Sequence, residues 1–241
     1  MNIIITMAGL GSRFRKVGYT VPKFMIEVQG KTLFEWSMES LTDYNKQDSV
    51  RYIFVVRKED HSRDFIMEKI NKFGLSDVEI VEIDKMTDGQ ATSAMLAKPF
   101  WKKDEEIIIY NIDTYVESGV MRYADISGDG FIPCFTAPGD HWSFVRLDNS
   151  GRAIEVREKE RISDNCTVGL YYFKTCELYE DLYNEYYADD SNLEKNEKFI
   201  APLYNHMIKK GMEVRISLIP FDKVHVLGTP EEVEAFKKNY E

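Results

Sequence analysis

Runs of consecutive apolar residues alternate with segments of helical periodicity in the first half of the chain. The apolar runs predict strands at 2–7, 52–56, 78–83 and 106–112. Apolar residues at helical spacing predict helices at 33–41, 60–73 and 90–96. Strands that alternate with helices and are apolar along most of their length are typical of a parallel sheet covered on both faces. We therefore expect an α/β fold with three layers and a doubly wound, mostly parallel sheet.

The pattern changes after about residue 130. Short strand candidates separated by turn residues lie at 131–136, 142–147, 153–157 and 167–173. They predict a mixed-sheet insertion. The remaining elements are helices at 178–187 and 199–209, a strand at 213–219 and a last helix beginning at Thr229. We expect one domain over 1–241, with a first half at 1–130 and a second half at 131–241.

Charge and cysteine content narrow the classes of partner. The 241 residues include 41 acidic and 31 basic side chains, for a net charge of −10, which disfavours nucleic acid as the main partner. Cys134, Cys166 and Cys176 lie far apart, without metal-ligand spacing, so we expect reduced thiols and a cytoplasmic protein. No apolar run approaches the roughly 20 residues of a membrane helix, so no membrane partner is expected.

The first predicted strand runs into the glycine-containing segment at 7–14. A dinucleotide-binding loop needs a third glycine where Phe14 stands, and a Walker A loop needs Gly-Lys-Ser/Thr, so both interpretations fail. Arg13 in this loop and Lys23 ten residues later could surround phosphate groups. The alternative is a tight turn with two solvated cations, which the residues alone favour.

Three further segments carry candidate chemistry. Residues 87–91 begin a predicted helix, whose free amides either face a ligand or are simply capped. Asp113 directly follows the apolar strand at 106–112. Two interpretations are equally compatible with this position: a ligand for a hard cation, or a cap of the next turn. The charged segment at 155–159, taken by itself, is a solvated charge run.

Two segments together resemble a known family. MAGLGSRF and VPKFMIEVQGKTLFEW are similar to the signature of the sugar-phosphate nucleotidyltransferases, which runs approximately AAGxGxR, then PK, then a Gly-Lys-Pro-like turn. The resemblance extends over nearly the whole chain. It implies a GT-A-like, Rossmann-like fold and the transfer of a nucleoside monophosphate from a nucleoside triphosphate to a phosphorylated small acceptor, with release of pyrophosphate. It also implies Mg²⁺ as the cofactor, a nucleotide-binding half at 1–130 and an acceptor-binding half at 131–241.

The resemblance assigns a role to each matching residue. Arg13, Lys23 and Asp113 are the expected catalytic residues, and Asp113 is also the metal ligand. The residues expected at the triphosphate are Ala8, Gly9, Gly11, Ser12, Arg13 and Lys23. Those expected at the base are Asp88, Gly89 and Gln90, and those expected at the acceptor are Glu158, Lys159 and Gly169.

The sequence departs from the family at one important position. The stretch at 224–230 has Val226 where the family usually has an aspartate that is the second metal ligand. Asp222, His225 or Glu197 could substitute, the metal could rest on Asp113 and phosphates alone, or the activity could be weakened.

The resemblance leaves the substrates partly open. It favours a pyrimidine triphosphate (CTP, UTP or dTTP), with a sugar 1-phosphate or a similar metabolite such as phosphocholine as acceptor, for capsule or cell-surface precursors. One alternative is a glycosyltransferase that uses a nucleotide sugar, although its usual DxD motif would have Asn111 in the first position. A second is a non-catalytic nucleotide-binding regulatory module. A homo-oligomer is compatible with the sequence.

Overall fold

A ten-stranded sheet forms the middle layer of the protein in the computed structural model, which describes residues 1–239. The strands, including four in two small separate ribbons, are β1 (Asn2–Thr6), β2 (Glu27–Val28), β3 (Lys31–Thr32), β4 (Arg51–Arg57), β5 (Val78–Ile83), β6 (Ile107–Asn111), β7 (Thr114–Val116), β8 (Gly130–Thr136), β9 (Ser143–Leu147), β10 (Ala153–Glu158), β11 (Asn165–Thr167), β12 (Leu170–Phe173), β13 (Val214–Ile219) and β14 (Val224–Val226). The helices are α1 (Ser12–Lys16), α2 (Leu33–Glu39), α3 (Arg63–Lys72), α4 (Gln90–Met95), α5 (Cys176–Tyr186), α6 (Ala201–Lys209) and α7 (Pro230–Asn239).

The strand order places the two halves of the chain in one continuous sheet. The order is β10-β9-β11-β8-β12-β6-β1-β4-β5, and β13 pairs with β8 off this path. The pairings of β1 with β4 and β6, of β4 with β5, and of β8 with β13 are parallel. Only β10, β11 and β12 run against the other seven strands of this sheet. The sheet is therefore mixed but mostly parallel in strand direction, as expected.

Both faces of the sheet are buried, because successive side chains of each strand point to opposite sides. Ile3 and Ile5 pack with residues of α2 and α3 on one face, whereas Ile4 packs with residues of α4, α5 and α6 on the other. Along β6, Ile108 and Ile109 divide between the two faces in the same way. These contacts make three layers and confirm the predicted fold class.

Two of the predicted elements need correction. The helix expected at 60–73 begins at Arg63, because 58–60 form a short 3₁₀ turn and His61 adopts a φ of 46°. The strand expected at 167–173 is wrong as a single element: it is divided into β11 and β12. Gly169 separates them with a φ of 83°, in the left-handed region that favours glycine. Hence β11 pairs with β8 and β9, while β12 pairs with β6 and β8.

A small hydrophobic cluster lies apart from the two clusters that cover the faces of the main sheet. The short strands β7 and β14 form an antiparallel ribbon, and β2 and β3 form a hairpin. Buried residues of α2, α7, the ribbon and the segment between β14 and α7 pack together there, among them Trp36, Tyr115, Leu227 and Phe236. The ribbon has a functional consequence, because it joins the end of β6 to the start of α7. None of the helices described has the length and apolar character needed to span a bilayer.

Candidate active site

Two adjoining cavities open where the carboxyl ends of β1 and β6 meet. The first, of about 440 Å³, is lined by the end of β1, by residues 86–90 and by Lys23. The second, of about 360 Å³, is lined by residues of β9 to β12 and by the segment after β6. The side chains that line both cavities are Gln90, Asn111, Asp113 and Glu197. A ligand in one cavity would therefore lie beside a ligand in the other.

The structure brings most of the sequence-predicted site residues to these cavities. The predicted residues that line the first are Ala8, Gly9, Lys23, Asp88, Gly89, Gln90 and Asp113. Those that line the second are Arg13, Gln90, Asp113, Glu158, Lys159 and Gly169. Gly11 and Ser12 line neither, because the chain turns away at Gly11 to begin α1.

Arg13 is an exposed residue in the first turn of α1, and it lines the second cavity and not the first. The resemblance groups Arg13 with the other residues expected at the triphosphate, namely Ala8, Gly9, Gly11 and Ser12 in the same loop and Lys23 ten residues later. In the structure Lys23 lines the first cavity, whereas Arg13 lines the second cavity. The two cations therefore line different cavities, and Asp113 lines both.

Lys23 and Asp113 form the central contact between the cavities. The Lys23 Nζ donates a hydrogen bond to Asp113 Oδ2 at 2.7 Å, and the two side chains are 17% and 30% exposed. Pro22 precedes the 3₁₀ turn that carries Lys23, and the buried ring of Phe24 anchors this turn. The main-chain oxygen of Asp113 accepts from the Leu227 amide at 2.8 Å, which ties the end of β6 to the segment before α7.

Gly89, at the start of α4, makes a close backbone contact. Its φ is 144°, and a Cβ there would stand 2.4 Å from the Lys198 carbonyl oxygen and 2.6 Å from the Lys198 nitrogen. The Ala91 amide donates to that oxygen at 3.0 Å, and the Lys198 amide donates to the Asp88 carbonyl at 2.7 Å. The glycine is thus required by packing within the protein, and these bonds hold the segment containing Glu197 over the first cavity.

We expect Gly89→Ala to lower the free energy of unfolding by about 3 kcal/mol, because the methyl group meets fixed main-chain atoms and the backbone is strained. Gly9→Ala is the matched control in the same cavity, since a Cβ on Gly9 has no atom within 4 Å. Its stability should stay within about 0.5 kcal/mol of wild type. Urea denaturation measures both, and equal stability of the two variants would contradict the packing argument.

Asp88 and Lys198 form an ion pair at the rim of the first cavity, with Lys198 Nζ 2.8 Å from Asp88 Oδ2. Burial by itself would raise the pKa of Asp88, but hydrogen bonds from Lys198 and Thr92 outweigh it and lower the pKa. The bond to Asp88 raises the pKa of Lys198. Both groups are therefore charged at neutral pH, and the pair links α4 to the segment before α6.

Glu158 and Lys159 stand together in the second cavity, at the end of β10. The Ser143 hydroxyl donates to Glu158 Oε2, and the Tyr171 hydroxyl lies 3.2 Å from Ser143 Oγ. Lys159 Nζ is 3.5 Å from Glu158 Oε1 and 4.7 Å from the centre of the Phe199 ring. This arrangement offers a carboxylate acceptor, hydroxyl groups and a cation to one ligand.

Gly169 lines the second cavity and packs closely against Asn111 at the end of β6. A Cβ on Gly169 would stand 2.5 Å from Asn111 Nδ2. The main-chain N–H of Asn111 donates to the Gly169 carbonyl at 3.2 Å. Gln90 Nε2 donates to Asn111 Oδ1 and to Thr6 Oγ1, the latter at 3.0 Å. These bonds fix the Gln90 side chain at the boundary of the two cavities.

The donor set around Asp113 suits a hard cation. In the part of the chain that the structure describes, no three His, Cys, Asp or Glu side chains form a ligand cluster. A cation that needs only one or two carboxylates, with phosphate and water oxygens, fits this arrangement.

The suggested replacements for the missing aspartate lie in different places. Val226 lines the second cavity as an apolar wall. Asp222 is 74% exposed and lines neither cavity. His225 stacks on Tyr115 outside both cavities, and its pKa is lowered by burial. Glu197 alone among the suggested replacements borders both cavities, and it is exposed.

Several residues of the site carry no recognisable signal in the sequence. Asn111 is the last residue of β6 and holds Gln90, and Glu232 in α7 lines the second cavity. Ser143 and Tyr171 contribute hydroxyls from β9 and β12. Their spacing along the chain has no period, because each comes from a different element.

Comparison with known proteins agrees with this geometry. The model of the family described as nucleotidyl transferase matches residues 2–217. The bifunctional protein GlmU from Methanocaldococcus jannaschii is 25% identical over 214 residues, which cover 87% of this chain and 47% of that protein. The chain thus spans about half the length of this relative.

Solved structures of nucleotidyltransferases also resemble this chain. The nucleoside-diphosphate-sugar pyrophosphorylase from Vibrio cholerae RC9 has a TM-score of 0.90 and 36% identity, with 99% of this chain and 100% of that chain covered. The inositol-1-phosphate CTP transferase from T. maritima has a TM-score of 0.75 and 18% identity, with coverage of 99% and 96%. These likenesses confirm the expected GT-A-like fold of the nucleotidyltransferases.

Proposed function

Because this chain belongs to the nucleotidyl transferase family, we propose that it transfers a nucleoside monophosphate from a nucleoside triphosphate to a phosphorylated small acceptor. The observation that carries this proposal is the junction of the two cavities at Asp113, with Lys23 bonded to its carboxylate. The arrangement suits a reaction between two anionic ligands, because each cavity has a cation and Asp113 borders both.

In this proposal the nucleoside triphosphate occupies the first cavity. Main-chain groups of Ala8 and Gly9 follow β1 at the carboxyl edge of the sheet, where ligands of open α/β sheets bind. Lys23 neutralises phosphate charge, and residues 88–90 contact the base. The nucleotide-binding half is 1–130, with two additions from the second half, since Asn196 and Glu197 also line this cavity.

The acceptor occupies the second cavity. Glu158 accepts hydrogen bonds from acceptor hydroxyls, and Lys159 pairs with the acceptor phosphate. Gly169 lines the second cavity and allows the Asn111 side chain, which borders both cavities, to pack against the main chain where the acceptor approaches the first cavity. Arg13, at the rim of the second cavity, adds positive charge near the point where the two ligands meet.

The step is an in-line displacement at the α-phosphorus. An oxygen of the acceptor phosphate forms a bond to that phosphorus, and the bond to the bridging oxygen of the β-phosphate breaks, so that pyrophosphate leaves with the electron pair. The attacking phosphate is ionised near neutral pH and needs no general base. The chain contributes orientation of the two ligands and cations that offset their repulsion.

Enzymes of the family generally use divalent metal ions. We propose that Asp113 holds Mg²⁺ together with phosphate oxygens, and that the ion, when bound, neutralises charge on the triphosphate. Lys23 Nζ bonds Asp113 Oδ2 and so orients the carboxylate at the junction of the two cavities.

The identity of the substrates is a finer part of the proposal. A pyrimidine triphosphate is favoured by the Asp-Gly-Gln segment at 88–90, which resembles that of pyrimidine-using members, and the similar T. maritima structure is described as a CTP transferase. A sugar 1-phosphate agrees with the description of the V. cholerae structure. We place the enzyme in the cytoplasm, where its three free cysteines stay reduced, and its product in capsule or cell-surface precursor synthesis.

A coupled pyrophosphate assay tests the function. Five triphosphates, CTP, UTP, dTTP, ATP and GTP, are crossed with sugar 1-phosphates and other phosphorylated acceptors. We expect pyrophosphate release only when a triphosphate and an acceptor are both present. Nucleotide binding without release with any acceptor would instead indicate a regulatory module, and glycosyl transfer from a nucleotide sugar would indicate a glycosyltransferase.

Lys159→Ala should raise the acceptor KM by about tenfold or more, because a charge-assisted bond to phosphate is lost. The KM for the triphosphate should stay within about twofold, since Lys159 lines only the second cavity. Lys209→Ala, an exposed position at the end of α6, is the control. Initial rates with one substrate varied at a time measure both constants. An unchanged acceptor KM would count against the role of Lys159.

A further inference from the structure

Glu232, in the first turn of α7, has a carboxylate oxygen without a partner. Its amide donates to Thr229 Oγ1 at 3.2 Å, as in a capping box. The Thr-x-x-Glu spacing predicts that the Glu232 side chain returns the bond to the helix start. Instead, Oε2 of Glu232 is buried and has no hydrogen-bond partner among residues 1–239. A buried carboxylate oxygen in this position is unfavourable unless a cation or a donor reaches it.

The position of Gly228 relates this oxygen to Asp113. A Cβ on Gly228 would stand 3.5 Å from Asp113 Oδ2 and 3.5 Å from Glu232 Oε2. The two oxygens are therefore at most twice 3.5 Å, or 7.0 Å, apart. Both side chains line the second cavity. Rotation about side-chain bonds is sufficient to bring carboxylates at this separation onto one ion.

The other candidates on this wall are less suitable. Val226 has no ligating atom, although it lines the same cavity. Glu197 is exposed, so water already solvates its carboxylate. Asp113 has Lys23 as its counter-charge at 2.7 Å, whereas no positive group bonds Oε2 of Glu232 in the described chain. A bound cation would therefore offset a larger cost of burying an unpaired carboxylate oxygen at Glu232 than at Glu197 or Asp113.

We propose that Glu232 is the second carboxylate ligand of the divalent cation held by Asp113, in place of the aspartate that Val226 replaces. This proposal rests on the proposed function only in assuming a divalent cation at Asp113. A pair of carboxylates with phosphate and water oxygens is a usual donor set for Mg²⁺ and Mn²⁺. The ligand comes from α7 and not from β14, and the ribbon of β7 and β14 brings this helix to the end of β6.

Titration of the full chain with Mn²⁺, followed by the electron paramagnetic resonance signal of the free ion, tests the proposal without any substrate. Glu232→Gln should bind Mn²⁺ about tenfold or more weakly than wild type, because one charged ligand is lost. Glu231→Gln is the matched control: it removes the same charge from the same helix turn at an exposed position. Its Mn²⁺ affinity should equal that of wild type.

Thermal unfolding with and without Mn²⁺ gives a second readout. The rise in Tm that Mn²⁺ causes in wild type should shrink in Glu232→Gln and persist in Glu231→Gln. Equal Mn²⁺ affinity of wild type and Glu232→Gln, equal weakening in both variants, or no Mn²⁺ binding by wild type would each overturn the proposal. Loss of Mn²⁺ binding in Glu232→Gln alone would support it even if no triphosphate releases pyrophosphate, so the two proposals fail separately.

Discussion

Asp113→Asn should reduce kcat for pyrophosphate release by about 10³-fold, the largest effect that we expect from one substitution. The side chain borders both cavities and bonds Lys23, so the neutral amide removes the charge at their junction. If Asp113 holds the metal as proposed, its loss corresponds to several kcal/mol of transition-state stabilisation, and about 1.4 kcal/mol is a factor of ten. The coupled pyrophosphate assay measures it at saturating substrates.

The fold of Asp113→Asn should persist. The main-chain oxygen of Asp113 still accepts from Leu227, and the lost ion pair is partly exposed and contributes little to stability. Asp104→Asn is the matched control, because Asp104 is exposed before the opposite end of β6. It should retain wild-type kcat. Near wild-type pyrophosphate release by Asp113→Asn would remove the basis of the proposed function.

Lys23→Ala should lower kcat/KM for the triphosphate by about 10²- to 10³-fold. The substitution removes a cation from the first cavity and leaves the Asp113 carboxylate without its bonded partner. Lys16→Ala, at the exposed end of α1, is the control and should have little effect. Rates measured over a range of triphosphate concentrations give the comparison.

A double variant separates the two contributions. If Lys23 acts partly through the carboxylate that it bonds, Lys23→Ala in the Asp113→Asn background should cost less than it does alone. Additive losses in the double-mutant cycle would show that Lys23 acts on the triphosphate independently of Asp113. An unchanged kcat/KM in Lys23→Ala would contradict both roles, the one through Asp113 and the direct one on the triphosphate.

Much of the fold could be predicted from the sequence because it depends on local periodicity. The apolar run in β1 and the similar run in β6 each fill both faces of the sheet, as expected for strands of a parallel sheet covered on both sides. A residue that follows such a strand lies at the carboxyl edge of the sheet, which made Asp113 and the loop after β1 candidates, but only the resemblance to the family assigned them roles. Periodicity failed at 167–173, where a positive φ at Gly169 divides one apolar run into two strands.

The sequence by itself determined the layered α/β architecture, and its resemblance to the nucleotidyltransferase signature supplied the candidate site residues. Only the tertiary structure decided how these residues combine. Lys23 and Asp113 are 90 positions apart and yet are in contact, Arg13 borders the second cavity, and Glu232 lies beside Asp113. Periodicity along the chain records which face of an element is buried. It does not record which elements pack side by side, because that depends on strand pairing and on how the chain connects distant elements.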